Sequence, residues 1–335
     1  MIKPPLVSVL IPVFRVENYI ERCARSVLCQ TYPNIEYIFV NDATDDASID
    51  ILKKVLLDYP ERSERVSIIN HTKNEGLAKA RNTAIDASRG EFIFHVDSDD
   101  WIEEFAVEAM MNRQHETNAD IVSAEVYKHV DGLVINDIPS GWDLDKKELL
   151  VGILTYKVST SIWRRIIRRS LYFDNNIKCD ERGSAGEDFQ VFPRLVYYAK
   201  TVSGISTRVY HYNCSNRQSI MNNVRNSLEL QIQGLVSVGI VYKFFSEKES
   251  PYKEIVRGLD IRYIHYKMLQ NALNWKREWY AFFKNLIVDM DSGQWSYIHW
   301  DNPIVRHLES HFYSTLLFRY FWGFINKINK IIKNI

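Results

Sequence analysis

The sequence predicts an α/β fold: a mostly parallel sheet with helices on both faces, followed by a C-terminal helical region. Two observations carry this. Over the first ~100 residues, short apolar β-branched runs alternate with segments whose apolar residues recur at helical spacing. The runs are continuously apolar rather than alternating, as strands buried on both faces require.

Val7–Val13 is the first strand and Tyr19–Gln30 carries the first helical pattern. Tyr37–Val40 follows as a strand ending in Asn41-Asp42, then a helix over about Ser48–Asp58. Val66–Asn70 is the third strand, Leu77–Ser88 a helix of good formers, and Phe92–Val96 the fourth strand. A helix is expected to start at Trp101-Ile-Glu-Glu. Beyond it, Ile121–Tyr127 reads as a strand, Lys146–Leu154 as a helix, Ser161–Ile167 as strand or helix, Asp188–Tyr198 as an amphipathic helix and Val202–Tyr212 as a strand. From Asn223 onward Gly and Pro are few and amphipathic helical patterns dominate, so the expected division is 1–220 and 221–335.

A chain of 335 residues, 46% hydrophobic, can bury a substantial core, and its 42 basic and 42 acidic residues leave no global field that would favour nucleic acid. Cys23, Cys29, Cys179 and Cys214 form no CxxC pair, which points to a reducing compartment. The start, Met-Ile-Lys-Pro-Pro, lacks a secretory apolar stretch, and no segment reaches the ~20 apolar residues of a bilayer span. A cytoplasmic protein is expected.

Each strand of the first half hands over to a polar loop: Phe14–Asn18, Asn41–Asp46, His71–Gly76 and Asp97–Asp100. In open α/β sheets ligands bind at that edge. The last loop is the most informative, because Asp97, Asp99 and Asp100 follow an apolar strand directly and repel one another unless a cation neutralises them. Mg²⁺ or Mn²⁺ on a diphosphate would suit such hard oxygen ligands. The alternative is that Asp99 or Asp100 caps the helix expected at Trp101.

Taken together, four segments resemble the inverting glycosyltransferases of family 2 with the GT-A, Rossmann-like fold. They are Val7–Phe14 with Glu17-Asn18-Tyr19 and Ser26–Thr31; Ile38–Asp46; Asn74–Asn82; and Asp97-Ser98-Asp99. The resemblance implies a nucleotide-binding half over 1–100 and an acceptor half over 101–220. It places Pro12 and Phe14 beneath the base, Asp42 on the uracil N3–H and Glu17 on the ribose or base. Asn74 and Gly76 belong to the loop over the nucleotide, with Arg81 or Lys79 near the phosphates. Asp97 contacts the ribose, and Asp99 binds the Mn²⁺ or Mg²⁺ that bridges the diphosphate. Asn41 and Ala43 depart from a common Asp and Gly; Ala43 is expected to keep its turn out of positive φ.

In the acceptor half, Gly186-Glu187-Asp188 before a helix resembles the family's acidic pair, with Asp188 as general base and Glu187 in reserve. His211 is a candidate metal ligand and Arg217 a candidate diphosphate contact. Trp163-Arg164-Arg165 and Arg168-Arg169 could meet the acceptor or form a solvated basic face.

The last stretch, Phe312–Ile335, mixes aromatics with exclusively basic charges, as an interfacial amphipathic helix or a packed terminal helix would. The expected partners are a UDP-sugar, a glycan or lipid-linked acceptor, the inner membrane surface and a second copy of the chain. The rivals weighed are a catalytically inactive nucleotide-sugar-binding protein, a dinucleotide oxidoreductase, which lacks its Gly-x-Gly-x-x-Gly, and a nucleotidyltransferase, which lacks an early Gly-rich loop.

Overall fold

The computed structural model describes residues 4–182, 185–216, 219, 228–249, 251–253 and 256. By its contacts the chain divides into one compact unit, Met1–Glu247, and a second, Lys248–Ile335. Arg217 and the basic-aromatic stretch 312–335 lie outside the described residues.

The first unit runs β1 (Val7–Val13), α1 (Ile20–Leu28), β2 (Ile35–Asn41), α2 (Ser48–Leu56), α3 (Pro60–Ser63), β3 (Val66–Asn70), α4 (Leu77–Ala87) and β4 (Phe92–His95). It continues through β5 (Trp101–Ile102), α5 (Ala106–Thr117), β6 (Ile121–Val130), β7 (Leu133–Ile135), α6 (Lys146–Leu154), β8 (Arg165–Arg168), α7 (Ser170–Asp174), α8 (Glu187–Tyr198), β9 (Val202–Asn213) and α9 (Leu228–Ser246). The strands are ordered β3-β2-β1-β4-β8-β6-β9-β5, with β7 on β6. β1 to β4 pair in parallel, in keeping with the mostly apolar, buried sequences of β1, β2 and β4. β8 then enters antiparallel between β4 and β6, so the second half of the sheet is mixed.

Alternate residues of the strands feed two cores. Val7, Val9, Ile11, Tyr37, Phe39, Phe92 and Phe94 pack with apolar residues of α1, α2 and α5 in one continuous cluster. Leu10, Ile38 and Ile93 are buried but stand outside that cluster, as do Ala80, Ala84 and Ile85 of α4, which packs on β1 and β2. Helices therefore cover both faces.

Three expectations are corrected. No helix starts at Trp101: Trp101-Ile102 is extended, paired with His211 and Tyr210 of β9, and α5 begins only at Ala106 without a side-chain cap. Asp99 and Asp100 therefore cap nothing. Ala43 does not avoid positive φ but adopts +53°, the conformation a glycine would take there. Finally, Arg164 and Arg165 are fully buried, so neither belongs to a solvated face. Arg164 reaches Ala124 O, Ile138 O, Glu125 and Asp137, while Arg165 donates to Ser161 O, Ser159 O, Ser140 O and Ser123 Oγ. Both tie irregular segments onto β6 and β8.

Candidate active site

The C-terminal edge of the parallel strands carries the polar loops, and their side chains bind one another before any ligand is considered. Asp42, directly after β2, is buried, with Oδ1 accepting from His71 Nδ1 (2.7 Å) and Glu75 N (2.9 Å) and Oδ2 from Gly76 N (2.8 Å). His71 Nε2 lies 2.9 Å from Thr83 Oγ1, so both ring nitrogens are engaged. The loop before α4 thus wraps the Asp42 carboxylate. Gly76 can donate there because its backbone sits at φ +89°, ψ 164°, a region open almost only to glycine.

The loop after β1 meets the loop after β2. Arg15 pairs with both oxygens of Asp45 at 2.8 Å, and Glu17 Oε2 accepts from Ala47 N at the start of α2. Pro12 is buried within β1, the Phe14 ring is half-exposed beside the Arg15 guanidinium, and Asn74 is exposed on the loop before α4.

After β4 the three aspartates separate in role. Asp100 is enclosed: Oδ2 accepts from Tyr210 Oη (2.7 Å) and Oδ1 from Asn213 N (2.7 Å), and Tyr210 Oη in turn accepts from Asp97 N. It braces the loop against β9. Asp99 is only partly covered and its Oδ2 accepts from Asn216 Nδ2 at 2.9 Å. Burial, reinforced by the Asp97 charge, pushes its carboxyl up to about 6, against the Asn216 hydrogen bond and the Arg22 charge. Asp97 accepts from Arg81 Nη2 at 3.0 Å.

Arg81, expected near the phosphates, is instead enclosed by carboxylates. Its side chain is 1% exposed and lies 3.0 Å from Asp97, 3.3 Å from Glu187 and 3.6 Å from Asp188. Burial opposes its charge, but Asp97, Asp188 and Glu187 outweigh that and keep it protonated. Glu187 and Asp188 open α8 after Gly186, whose φ of +83° makes the turn. Burial pushes both carboxyls up; the Asp188 charge adds to this for Glu187, and Arg81 opposes it for each. The two halves of the unit therefore meet at this guanidinium.

His211 does not join them. Its Nε2 lies 3.0 Å from Glu103 Oε1 and its Nδ1 3.0 Å from His129 Nε2, while the ring stacks between Trp101 and Tyr127 at 4.7 Å from each. With both nitrogens engaged, the ring packs β9 against its neighbours, and its assignment as a metal ligand is not supported. Lys79 pairs with Glu181 at 3.0 Å. The residues not anticipated, His71, Asn216, Tyr210 and Asn213, have no local motif; only Asn216, next to Arg217, had a neighbouring signal.

Among the described residues no three His, Cys, Asp or Glu side chains form a closed metal cage. A partly exposed Asp99 carboxylate suits a hard cation that takes its remaining ligands from diphosphate and water.

The family profile described as Glycosyl transferase family 2 matches residues 8–175, half of the chain. The chain belongs to glycosyl transferase family 2. The matched span ends before Glu187 and Asp188, whose place rests on geometry. EpsH of Bacillus subtilis (strain 168), a proposed glycosyltransferase, is 35% identical over 213 residues, covering 62% of this chain and 60% of EpsH. The poly(ribitol-phosphate) beta-glucosyltransferase of Bacillus spizizenii is 32% identical over 210 residues, 62% of this chain and 32% of that enzyme. The chain thus spans less than two thirds of these relatives. Residues 1–349 of Staphylococcus aureus TarS superpose with a TM-score of 0.54 at 22% identity over 73% of each chain, and the same protein is known with UDP-GlcNAc. The mannosyltransferase PcManGT of Pyrobaculum calidifontis, seen with GDP-Man and Mn²⁺, superposes with 0.55 at 13% identity over 97% of this chain and 89% of its own. These likenesses establish the GT-A-type fold.

Proposed function

We propose that this chain transfers a sugar from a UDP-sugar to a glycan or lipid-linked acceptor with inversion, in the synthesis of a bacterial surface polysaccharide. The carrying observation is the Arg81 cluster, which brings the acceptor-side carboxylates Glu187 and Asp188 beside Asp97 of the donor edge. A donor-binding protein without catalysis has no need of that juxtaposition.

Asp188 is the general base and Glu187 its reserve. Asp188 takes the proton from the acceptor hydroxyl as that oxygen attacks the anomeric carbon from the face opposite the diphosphate, and the bond to UDP breaks in the same displacement. Asp99 holds Mn²⁺ or Mg²⁺, which when bound offsets charge developing on the departing diphosphate. Asp97 receives the ribose. Asp42 reads the uracil N3–H through Oδ2, which accepts one backbone donor and keeps a lone pair. Pro12, Phe14, Glu17, Asn74 and Gly76 complete the nucleotide pocket, and Arg217 adds a diphosphate contact. The complexes of TarS with UDP-GlcNAc and of PcManGT with Mn²⁺ support the donor class and the metal. No helix among the described residues is long and apolar enough to cross a membrane, and the stretch 312–335 is proposed to hold the protein at the membrane surface.

The test is release of UDP from a panel of nucleotide sugars with Mn²⁺, with and without acceptor. Wild type should release UDP from one UDP-sugar, EDTA should stop it, and Asp99→Asn should abolish it while leaving the circular dichroism spectrum unchanged. Normal turnover in Asp99→Asn or in EDTA overturns the metal assignment, and release from GDP-sugars alone overturns the donor.

A further inference from the structure

We propose that Arg81 is the positioning residue for the general base, holding Asp188 aligned and ionised by gripping Asp97, Glu187 and Asp188 from one buried guanidinium. This rests on the assignment of Asp188 as base.

The geometry divides the guanidinium by edge. Nε faces Glu187 Oε1 at 3.3 Å, while Nη2 is shared between Asp97 Oδ1 at 3.0 Å and Asp188 Oδ1 at 3.6 Å. Among the described residues, Arg81 Nη1 and Asp188 Oδ1 are buried and have no hydrogen-bond partner. Asp188 Oδ1 is therefore held by charge rather than by a hydrogen bond, and it retains its acceptor capacity. Glu187 and Asp188 are largely withdrawn from water and Asp97 only partly, so three carboxylates crowd one cation, and loss of that cation should drive a proton onto the Glu187–Asp188 pair.

The groups facing the pair come from five elements: Arg81 of α4, Asp97 after β4, Arg165 of β8, Tyr172 of α7 and Cys179 before α8. Arg165 directs its donors at four serine oxygens and lies 3.8 Å from the Phe192 ring centre. Burial pushes the Tyr172 hydroxyl and the Cys179 thiol up, so both are neutral at physiological pH. Arg81 is then the cation that makes ion pairs with Glu187 and Asp188 among the described residues. A lysine keeps the charge but not the planar fork that reaches three partners at once.

The experiment is the pH profile of kcat/KM for transfer by wild type, Arg81→Lys and Arg81→Gln/Glu187→Gln, with UDP affinity measured by calorimetry. The double variant removes one carboxylate along with the cation, so folding does not depend on tolerating all three. The double variant, which removes the charge, should move the acid limb up by at least about one pH unit, a tenfold loss at the foot of the limb, with recovery at high pH and UDP affinity within about threefold of wild type; Arg81→Lys, which keeps the charge and loses the fork, should lower kcat with a smaller shift of the limb. An acid limb that stays in place in the double variant while kcat falls at every pH reduces Arg81 to packing. A tenfold loss of UDP affinity with an unmoved limb makes it a diphosphate ligand. Asp188→Asn, run in parallel, separates the two assignments. Near-normal turnover there removes the base assignment and this proposal with it, whereas a dead Asp188→Asn with an unmoved limb in the double variant overturns the Arg81 role alone.

Discussion

Glu187 shows at the residue scale what the site costs. Burial and the neighbouring Asp188 charge raise its folded carboxyl above the value in an unfolded chain. A raised carboxyl contributes stability that is complete below the unfolded value, near 4.3, and is lost as pH rises through the folded value. Glu187→Gln cannot ionise, and its amide oxygen can still accept from Arg81 Nε. The melting temperature of Glu187→Gln should therefore exceed that of wild type by a widening margin from pH 5 to pH 8, about 2–4 °C for each kcal/mol in a domain of this size. Scanning calorimetry at both pH values checks it, and a constant gap would mean that the carboxyl titrates normally. This residue and Asp188 could be picked from the sequence because Gly186-Glu187-Asp188 before a helix resembles the acidic pair of the family. Their partner Arg81 lies 106 positions from Glu187, and no local pattern encodes a pairing of that length. The partners of His211 are equally remote in sequence: Trp101, Tyr127, Glu103 and His129 reach it only through the order of β5, β9 and β6.

At the scale of elements, the alternation of strands and helices over the first four strands was legible because the apolar runs of β1, β2 and β4 are buried on both faces, leaving little freedom of register. What the pattern could not supply was backbone conformation in the loops that bear the site. Gly76 and Ala43 are the test pair. Gly76→Ala forces a Cβ onto φ +89°, ψ 164°, which costs about 1–3 kcal/mol, and moves the N–H that grips Asp42. Ala43→Gly instead relieves a left-handed alanine and should raise stability by up to about 1 kcal/mol. Urea unfolding with UDP titration should show Gly76→Ala less stable and weaker for UDP, and Ala43→Gly more stable with UDP affinity kept. If Gly76→Ala binds UDP like wild type, the grip of this loop on Asp42 is irrelevant to the donor. The short β5 escaped detection because a two-residue strand has no period to read, and its acidic neighbours imitate a helix start.

For the whole molecule, the question is which part of the chain suffices for chemistry. The compact unit ends at Glu247, and α9 inside it steadies the acidic pair: Gln233 accepts from Ala185 N, Ser237 donates to Ala185 O, and Gln190 of α8 donates to Ser237. Phe244 and Phe245 pack edge-on against Tyr197. A fragment cut after residue 220 loses all of these and exposes the apolar side of α8, so it should aggregate or lose turnover. A fragment cut after Glu247 should stay folded and release UDP from the donor at a rate close to that of the full chain. The basic-aromatic stretch 312–335 is proposed to meet the membrane surface, where each basic contact would contribute about 1 kcal/mol. The full chain should then sediment with anionic liposomes at low salt and dissociate in part as salt rises, while the fragment ending at Glu247 stays in the supernatant. A full chain that fails to sediment removes the membrane role from this stretch. A fragment 1–247 that folds but cannot turn over shows instead that the second unit completes the site.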